Sequence, residues 1–388
     1  MIAITLIGPL AVHMYLPIMP VIQQIFGVST VMTTLTFSMV LFVMAFGTLI
    51  YGSASDRYGR KPVLLVGLAL FVAGSIICAV APGFEVLIAG RLLQALAAGC
   101  GVVLARAIAR DVYGPEKLAQ VIAYITAAYV LGPTLAPPIG GGISDLFGWQ
   151  SVFVFATVTS LVVIVLGSLV IRETHHNRRT GPRRGGSLLR DYGRLIRNRE
   201  FVGYAFFPAF SSASFFALAT YSSYLMQDHY QGTSGEYGLY FMILTITFMG
   251  GNFISGRIGT RVTSDYMVVF GGVLTLITIE ILAIAVLFMP MEPLALFIPG
   301  GLMSIGQGLA MPHAQAAAIN AESDLTGTAS GTVMFLNFFA PASSSLFISA
   351  LYDGSFMPLV VIVFVLSLMS LLSGIYGNLH HRRRIAAA

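Results

Sequence analysis

VMTTLTFSMVLFVMAFGTLIYGSASDRYGRKPVLLVGLALFVAGSIICAVAP, residues 31–82, is the stretch whose reading decides the fold. An apolar run over 31–54 gives way to a short charged turn with Asp56, Arg57, Arg60 and Lys61, and a second apolar run follows over 62–82. A helix needs about 20 apolar residues to cross the hydrocarbon of a bilayer. Each run therefore reads as one membrane-spanning helix, and the charged turn as the loop between them.

Working outward, the same alternation continues to both ends. Twelve spans are expected near 2–25, 31–54, 62–82, 86–110, 118–143, 150–171, 201–226, 237–258, 266–289, 293–319, 326–351 and 356–378; they are numbered 1 to 12 here. Composition agrees. The 388 residues are 56% hydrophobic and 10% charged, against about 25% charged in soluble proteins. A bilayer is the natural solvent for such a chain. Cys78 and Cys100 both lie in apolar runs without zinc or disulfide spacing, so they read as small packing residues. The first run lacks a basic leader and a small-residue cleavage site, and it contains Pro9, His13, Pro17 and Pro20; it reads as a membrane helix and not a cleaved signal.

Charge supplies an independent check. With the N-terminus in the cytoplasm, the 2–3 loop holds Arg57, Arg60 and Lys61. The 4–5 region holds Arg106, Arg110 and Lys117. The 6–7 loop holds Arg172, Arg178, Arg179, Arg183, Arg184, Arg190, Arg194, Arg197 and Arg199. The 8–9 region holds Arg257 and Arg261, and the tail holds Arg382, Arg383 and Arg384. Together these are all but one of the 21 basic residues. Such asymmetry is what the positive-inside rule expects, with both termini cytoplasmic. The net charge of +5 thus reflects topology, not nucleic-acid binding, and the basic 6–7 loop is expected near anionic lipid headgroups.

The long polar segment 172–200, with Gly181, Pro182, Gly185 and Gly186, separates an N-terminal half (1–171) from a C-terminal half (201–379) and a short tail (380–388). The halves echo each other. Gly47, Gly52 and Arg57 recur as Gly251, Gly256 and Arg261. Pro133 precedes Asp145 by the interval that separates Pro341 from Asp353. The expected architecture is an all-α membrane protein of twelve transmembrane helices in two pseudo-symmetric six-helix bundles.

Few ionisable groups fall inside the spans. The one basic residue outside the loops, Arg91, lies about 9 Å past Glu85 along span 4. An arginine at that depth must face a cavity or a partner. Gln94 shares its face at i+3. His13 is in span 1, His313 follows Pro312 in span 10, and Glu280 is about 21 Å into span 9. Tyr15, Tyr124, Tyr129, Phe216, Tyr221 and Asn337 are candidates to line an aromatic, mildly polar pocket for amphiphiles, although core packing or lipid contact is the commoner use of any one of them. No H-E-x-x-H, no G-x-S-x-G and no paired intramembrane aspartates occur, so an intramembrane enzyme is not expected, nor any metal or cofactor.

The turn Gly52-Ser53-Ala54-Ser55-Asp56-Arg57-Tyr58-Gly59-Arg60-Lys61 resembles the cytoplasmic signature of the major facilitator superfamily, with a degenerate copy at Gly256-Arg257 through Arg261 in which Thr260 replaces the acid. In that family Gly52, Asp56, Arg57, Gly59 and Arg60 would form a gate, with Asp56 facing the start of span 11. Gly90-Arg91-Leu92-Leu93-Gln94 resembles the family's helix-4 motif of proton-coupled members. Gly132-Pro133 and Ala136-Pro137-Pro138-Ile139-Gly140-Gly141 resemble the helix-5 motif of drug:proton antiporters, with Ala136 in place of its first glycine. Met14-Tyr15-Leu16-Pro17 and Trp149-Gln150-Ser151 resemble the Bcr/CflA subfamily of drug exporters.

The resemblance implies that spans 1, 4, 7 and 10 line the cavity, and it makes His13, Arg91, Gln94, Glu280 and His313 the proton-coupling candidates. That subfamily usually has an aspartate where this chain has His13. The histidine could carry the proton itself, bind substrate, or mark an uncoupled protein. The implied function is export of small amphiphilic drugs against protons by a monomer in a bacterial inner membrane. The competing expectation is an importer or facilitator of a small metabolite on the same fold.

Overall fold

In a computed structural model of the chain, residues 1–113, 115–171, 173–174, 185–258 and 262–387 are described, some of them by backbone alone, among these Gly52, Lys117, Gly185 and Gly186. Arg172, Arg178, Arg179, Gly181, Pro182, Arg183, Arg184, Thr260 and Arg261 lie outside the described residues, and with them the arginine of the repeated loop motif. Among the described residues every regular element is helical.

The long helices follow the expected spans and take their numbers: α1 Ile2–Phe26, α2 Thr30–Tyr58, α3 Arg60–Ala79, α4 Phe84–Val112, α5 Pro115–Phe147 and α6 Gln150–Val170, then α7 Arg199–Asp228, α8 Ser234–Ile258, α9 Ser264–Phe288, α10 Leu294–Asn320, α11 Thr326–Ala350 and α12 Met357–Ala387. Among the described residues, all of these but α5 are long and apolar enough to cross a membrane by length and composition. Glycine and caps set the boundaries. Gly27 ends α1 in the left-handed region (φ +62°), and the Ser29 side chain accepts the Met32 N–H at 3.3 Å to start α2. Gly59, at φ +102°, breaks α2 from α3. Asn198 Oδ1 accepts the Glu200 and Phe201 N–H groups to start α7.

Contacts divide the chain into two compact units, Met1–Gly181 with Gln231–Leu239, and Pro182–Tyr230 with Tyr240–Ala388. The start of α8 thus groups with the first unit. The same pairings recur in each. α3 packs on α4, and α9 on α10; α1 packs on α4 and α5, and α7 on α10 and α11. Small residues make these approaches close, as they do between helices in lipid. A Cβ on Gly74 of α3 would lie 2.7 Å from the Gly90 carbonyl oxygen, and a Cβ on Gly306 of α10 2.7 Å from that of Gly271.

Two segments differ from expectation. The linker holds a helix, Gly185–Arg197. Its Leu188, Leu189, Tyr192, Leu195 and Ile196 recur at helical spacing against Arg190, Arg194 and Arg197. Leu195 is buried in the core of the second unit, and Arg194 pairs with Glu322 at 3.2 Å. The tail also remains helical. α12 runs on past residue 378, because His381 and Arg384 reach the buried Glu200 at 2.9 and 3.2 Å.

Candidate functional site

α1 is not one continuous helix. Its first half ends at His13, a 3-10 turn covers Leu16–Ile18, and a second short helix follows from Met19. Pro17 has no N–H to continue the ladder, and the last carbonyls of a helix lack intrahelical donors. Arg91 of α4 supplies one. Its Nη1 donates to the Ala11 carbonyl at 2.9 Å and to Gln94 Oε1 at 3.0 Å. The partial negative charge at a helix C-terminus favours a cation there.

The surroundings are polar but neutral. Gln94 Nε2 donates to Ser75 Oγ of α3 at 2.7 Å, and that hydroxyl donates to the Phe71 carbonyl at 2.8 Å. The Tyr15 ring covers the guanidinium, 4.1 Å from Cζ to the ring centroid, a cation–π geometry. The Tyr15 hydroxyl is 2.6 Å from Thr36 Oγ1 of α2, whose own hydrogen goes to the Thr33 carbonyl. Arg91 is 1% exposed. Its Nε and Nη2 have no hydrogen-bond partner, and it joins none of the ion pairs among the described residues. His13 is buried at the end of the same half-helix.

The helix-5 motif serves this region through packing. A Cβ on Gly132 would meet Pro9 at 2.5 Å, and one on Gly140 would meet the Met14 carbonyl oxygen at 2.7 Å, so both glycines let α5 lie against the broken α1. Pro133, Pro137 and Pro138 all lie within helical α5. Pro137, Pro138 and Gly141 face the start of α8 at Gly238 and Ser234, where Asp145 Oδ2 accepts the Gly235 N–H at 2.8 Å.

In the charged turn, Arg60 is buried and pairs with Asp56 at 2.6 Å and Asp111 at 3.0 Å. The Glu173 carboxylate accepts the Arg60 and Lys61 N–H groups at 3.0 and 3.2 Å, a negative charge on the start of α3. It lies so close that a Cβ on Gly59 would meet it at 2.5 Å. Arg57 lies over the Tyr58 ring.

The other candidates are placed as follows. Tyr124 is exposed and Tyr129 half-buried on α5. In the second unit Glu280 is on an exposed face of α9. His313 is buried, its Nδ1 3.2 Å from Ser264 Oγ. Tyr221 is buried and donates to the Ser355 carbonyl at 2.7 Å. Phe216 is half-buried beside Phe215. Asn337 is half-buried with its Oδ1 unpartnered. Of the candidates, then, the structure gathers Tyr15, Arg91 and Gln94 at the half-helix that ends in His13. Sequence reasoning missed Ser75, Thr36 and the Ala11 carbonyl, and also Asp111 and Glu173. Position on the basic side of the chain, at the ends of spans 4 and 6, was the available signal for the last two.

Residues 1–345 match the Major Facilitator Superfamily, and the chain belongs to that family. Its fold recurs in a bacterial homolog of the human lysosomal transporter Spinster in an inward-facing conformation, at TM-score 0.75 and 15% identity over 98% of this chain and 96% of that one. Among curated relatives, a bicyclomycin resistance protein homolog of Haemophilus influenzae is 29% identical over 68% of this chain and 66% of its own length. The multidrug resistance protein MdtL of Klebsiella pneumoniae is 30% identical over 65% of this chain and 63% of its own. The matches thus span about two thirds of these relatives' lengths. These names fit the drug:proton antiporter subfamily. The protein is a multi-pass bacterial membrane transporter, not an enzyme.

Proposed function

We propose that the protein exports small amphiphilic compounds, antibiotics among them, by alternating access in exchange for protons. It would act as a monomer in the bacterial inner membrane with both termini in the cytoplasm, the orientation that the basic loops favour. One observation carries the reading: the half-helix of α1 that ends in the buried His13 is held, two residues earlier at the Ala11 carbonyl, by the buried Arg91 of α4, which also donates to Gln94. The resistance-protein names of two relatives support it.

A change of charge on His13 acts on the break where α1 can bend. Arg91 holds that break through Ala11, so protonation at His13 adds a like charge to a region that already carries one. That repulsion is a physical means of biasing one conformation over another. The test is efflux of a drug panel from membrane vesicles with and without an imposed proton gradient. Efflux of several unrelated amphiphiles is expected to collapse without the gradient, and to lose its gradient dependence in His13→Ala. Transport indifferent to the gradient, or uptake of a single nutrient in place of drug efflux, would overturn the reading.

A further inference from the structure

Arg91 is a fully buried cation that joins no ion pair among the described residues. The groups around it are the Ala11 carbonyl, the Gln94 amide, the Tyr15 ring and, beyond Gln94, the Cys78 thiol (3.9 Å from Gln94 Oε1) and the Ser75 hydroxyl. All are neutral or partial dipoles. Taking an ion out of water without a counter-ion costs several kcal/mol even after relaxation. A dipole at a helix end offsets only part of that.

The unused donors are a specific pair. Both protein acceptors bind Nη1. The two nitrogens without partners, Nε and Nη2, form one edge of the guanidinium, where their N–H bonds run parallel. That edge matches the two oxygens of a carboxylate or sulfonate and makes the strong bidentate form of the contact. A neutral amide offers one acceptor to the same edge, and a cation is repelled.

We propose that the Nε–Nη2 edge of Arg91 binds an anionic group, a carboxylate or sulfonate, on the amphiphile the protein transports, so that the cargo itself supplies the counter-charge. The inference rests on the transport reading above and names a substrate class within it. Tyr15 is the group the anion passes. Its ring covers the guanidinium, and it sits at the break in α1 just before the 3-10 turn at Leu16, so a change of helix direction there would carry the ring aside. The apolar body of the cargo would then meet aromatic side chains such as Tyr15 and Phe153, whose ring centroids are 6.2 Å apart.

The test compares three probes on one ring system, naphthalene-2-carboxylate, 2-naphthamide and 2-naphthylmethylammonium, titrated calorimetrically into the purified protein in lipid nanodiscs. The carboxylate is expected to bind at least about tenfold more tightly than the amide, as befits hydrogen bonds to a charged group, and the ammonium more weakly than either. That preference should vanish in Arg91→Gln. It should shrink several-fold in Arg91→Lys, which keeps the charge and loses the parallel edge. Size-exclusion profiles and melting temperatures without probe report whether each variant is folded, and if Arg91→Gln is not, the Arg91→Lys comparison decides. Equal binding of carboxylate and amide to the unaltered protein overturns the inference, as does a carboxylate preference that survives in the folded variants. Vesicle efflux separates the two proposals. Drug efflux without anion preference sinks this one and leaves export standing; anion preference without efflux does the reverse.

Discussion

The two units share a packing scheme and differ in what they bury. In the first, α4 carries a charge into the interior, Arg91, with Gln94 and Ser75 relaying its hydrogen bonds. In the second, α10 packs on α9 as α4 packs on α3, and its buried Gln307 makes only neutral hydrogen bonds. The Gln307 amide donates to the Ser211 carbonyl at 3.1 Å and to Ser214 Oγ at 2.9 Å. Nearby, Thr220 meets Ser345 at 3.0 Å and Ser344 donates to the Ala213 carbonyl at 2.9 Å. These are amides, hydroxyls and carbonyls, and a buried neutral group that is hydrogen-bonded is inexpensive. A buried cation is not. The shared packing thus surrounds a buried cation that joins no ion pair among the described residues in one unit, Arg91, whereas the buried charge of the other, Glu200, is paired with His381 and Arg384.

The shared part of this comparison is the easiest to break. Leucine at Gly74 would press its Cβ to 2.6 Å from the Gln94 nitrogen, and leucine at Gly306 to 2.6 Å from Thr275 Oγ1. Overpacking of this kind costs about 1–3 kcal/mol. Gly74→Leu and Gly306→Leu should therefore lower the melting temperature in detergent by similar amounts. A large drop in one and none in the other would show that the two interfaces are not equivalent.

The unshared part separates with Gln94→Leu and Gln307→Leu. Each removes hydrogen bonds worth roughly 1 kcal/mol, so both should melt slightly below the unaltered protein. Their transport should differ. Gln94→Leu takes one of two acceptors from Arg91 and is expected to cut vesicle efflux by about tenfold, the equivalent of about 1.4 kcal/mol. Gln307→Leu strips no charge of its partner and should keep most activity. Equal transport in the two variants would remove the distinction between the units.

Much of this contrast was legible in the sequence, and the unread part has physical reasons. Hydropathy and basic loops marked the helices because the bilayer imposes both length and charge asymmetry. Arg91 and Gln94 could be paired because i and i+3 meet on any helix. Their further partners could not, since Ala11 and Ser75 come from other helices, and a carbonyl exposed by a helix break leaves no mark in a residue list. The exposed faces of Glu280 and Tyr124 were hidden for another reason. In lipid the outside of a helix is as apolar as its inside, so periodicity does not separate them. The linker helix was obscured by its glycines and arginines, which read as turn and charge until Leu195 is seen in the core.

The smallest expected effect concerns the repeated aspartates. Asp145 accepts the N–H that begins α8, whereas Asp353 accepts the Ser355 N–H at 2.8 Å within its own loop and the Tyr221 hydroxyl of α7 at 3.3 Å. The Ser355 backbone N–H, with smaller help from the Ser355 and Tyr221 side chains, holds the Asp353 carboxyl below its ordinary 3.8. A carboxyl depressed on folding contributes stability that is complete above its ordinary pKa and disappears as pH falls through the folded one. Asp353→Asn should thus melt slightly below the unaltered protein at neutral pH, and the two melting curves should converge on acidification below that ordinary value. The group is exposed, so solvent screening keeps the gap small. A gap that persisted or widened in acid would mean that the asparagine acts through the loop's shape and not through charge, and the two aspartates would then be a likeness of sequence spacing alone.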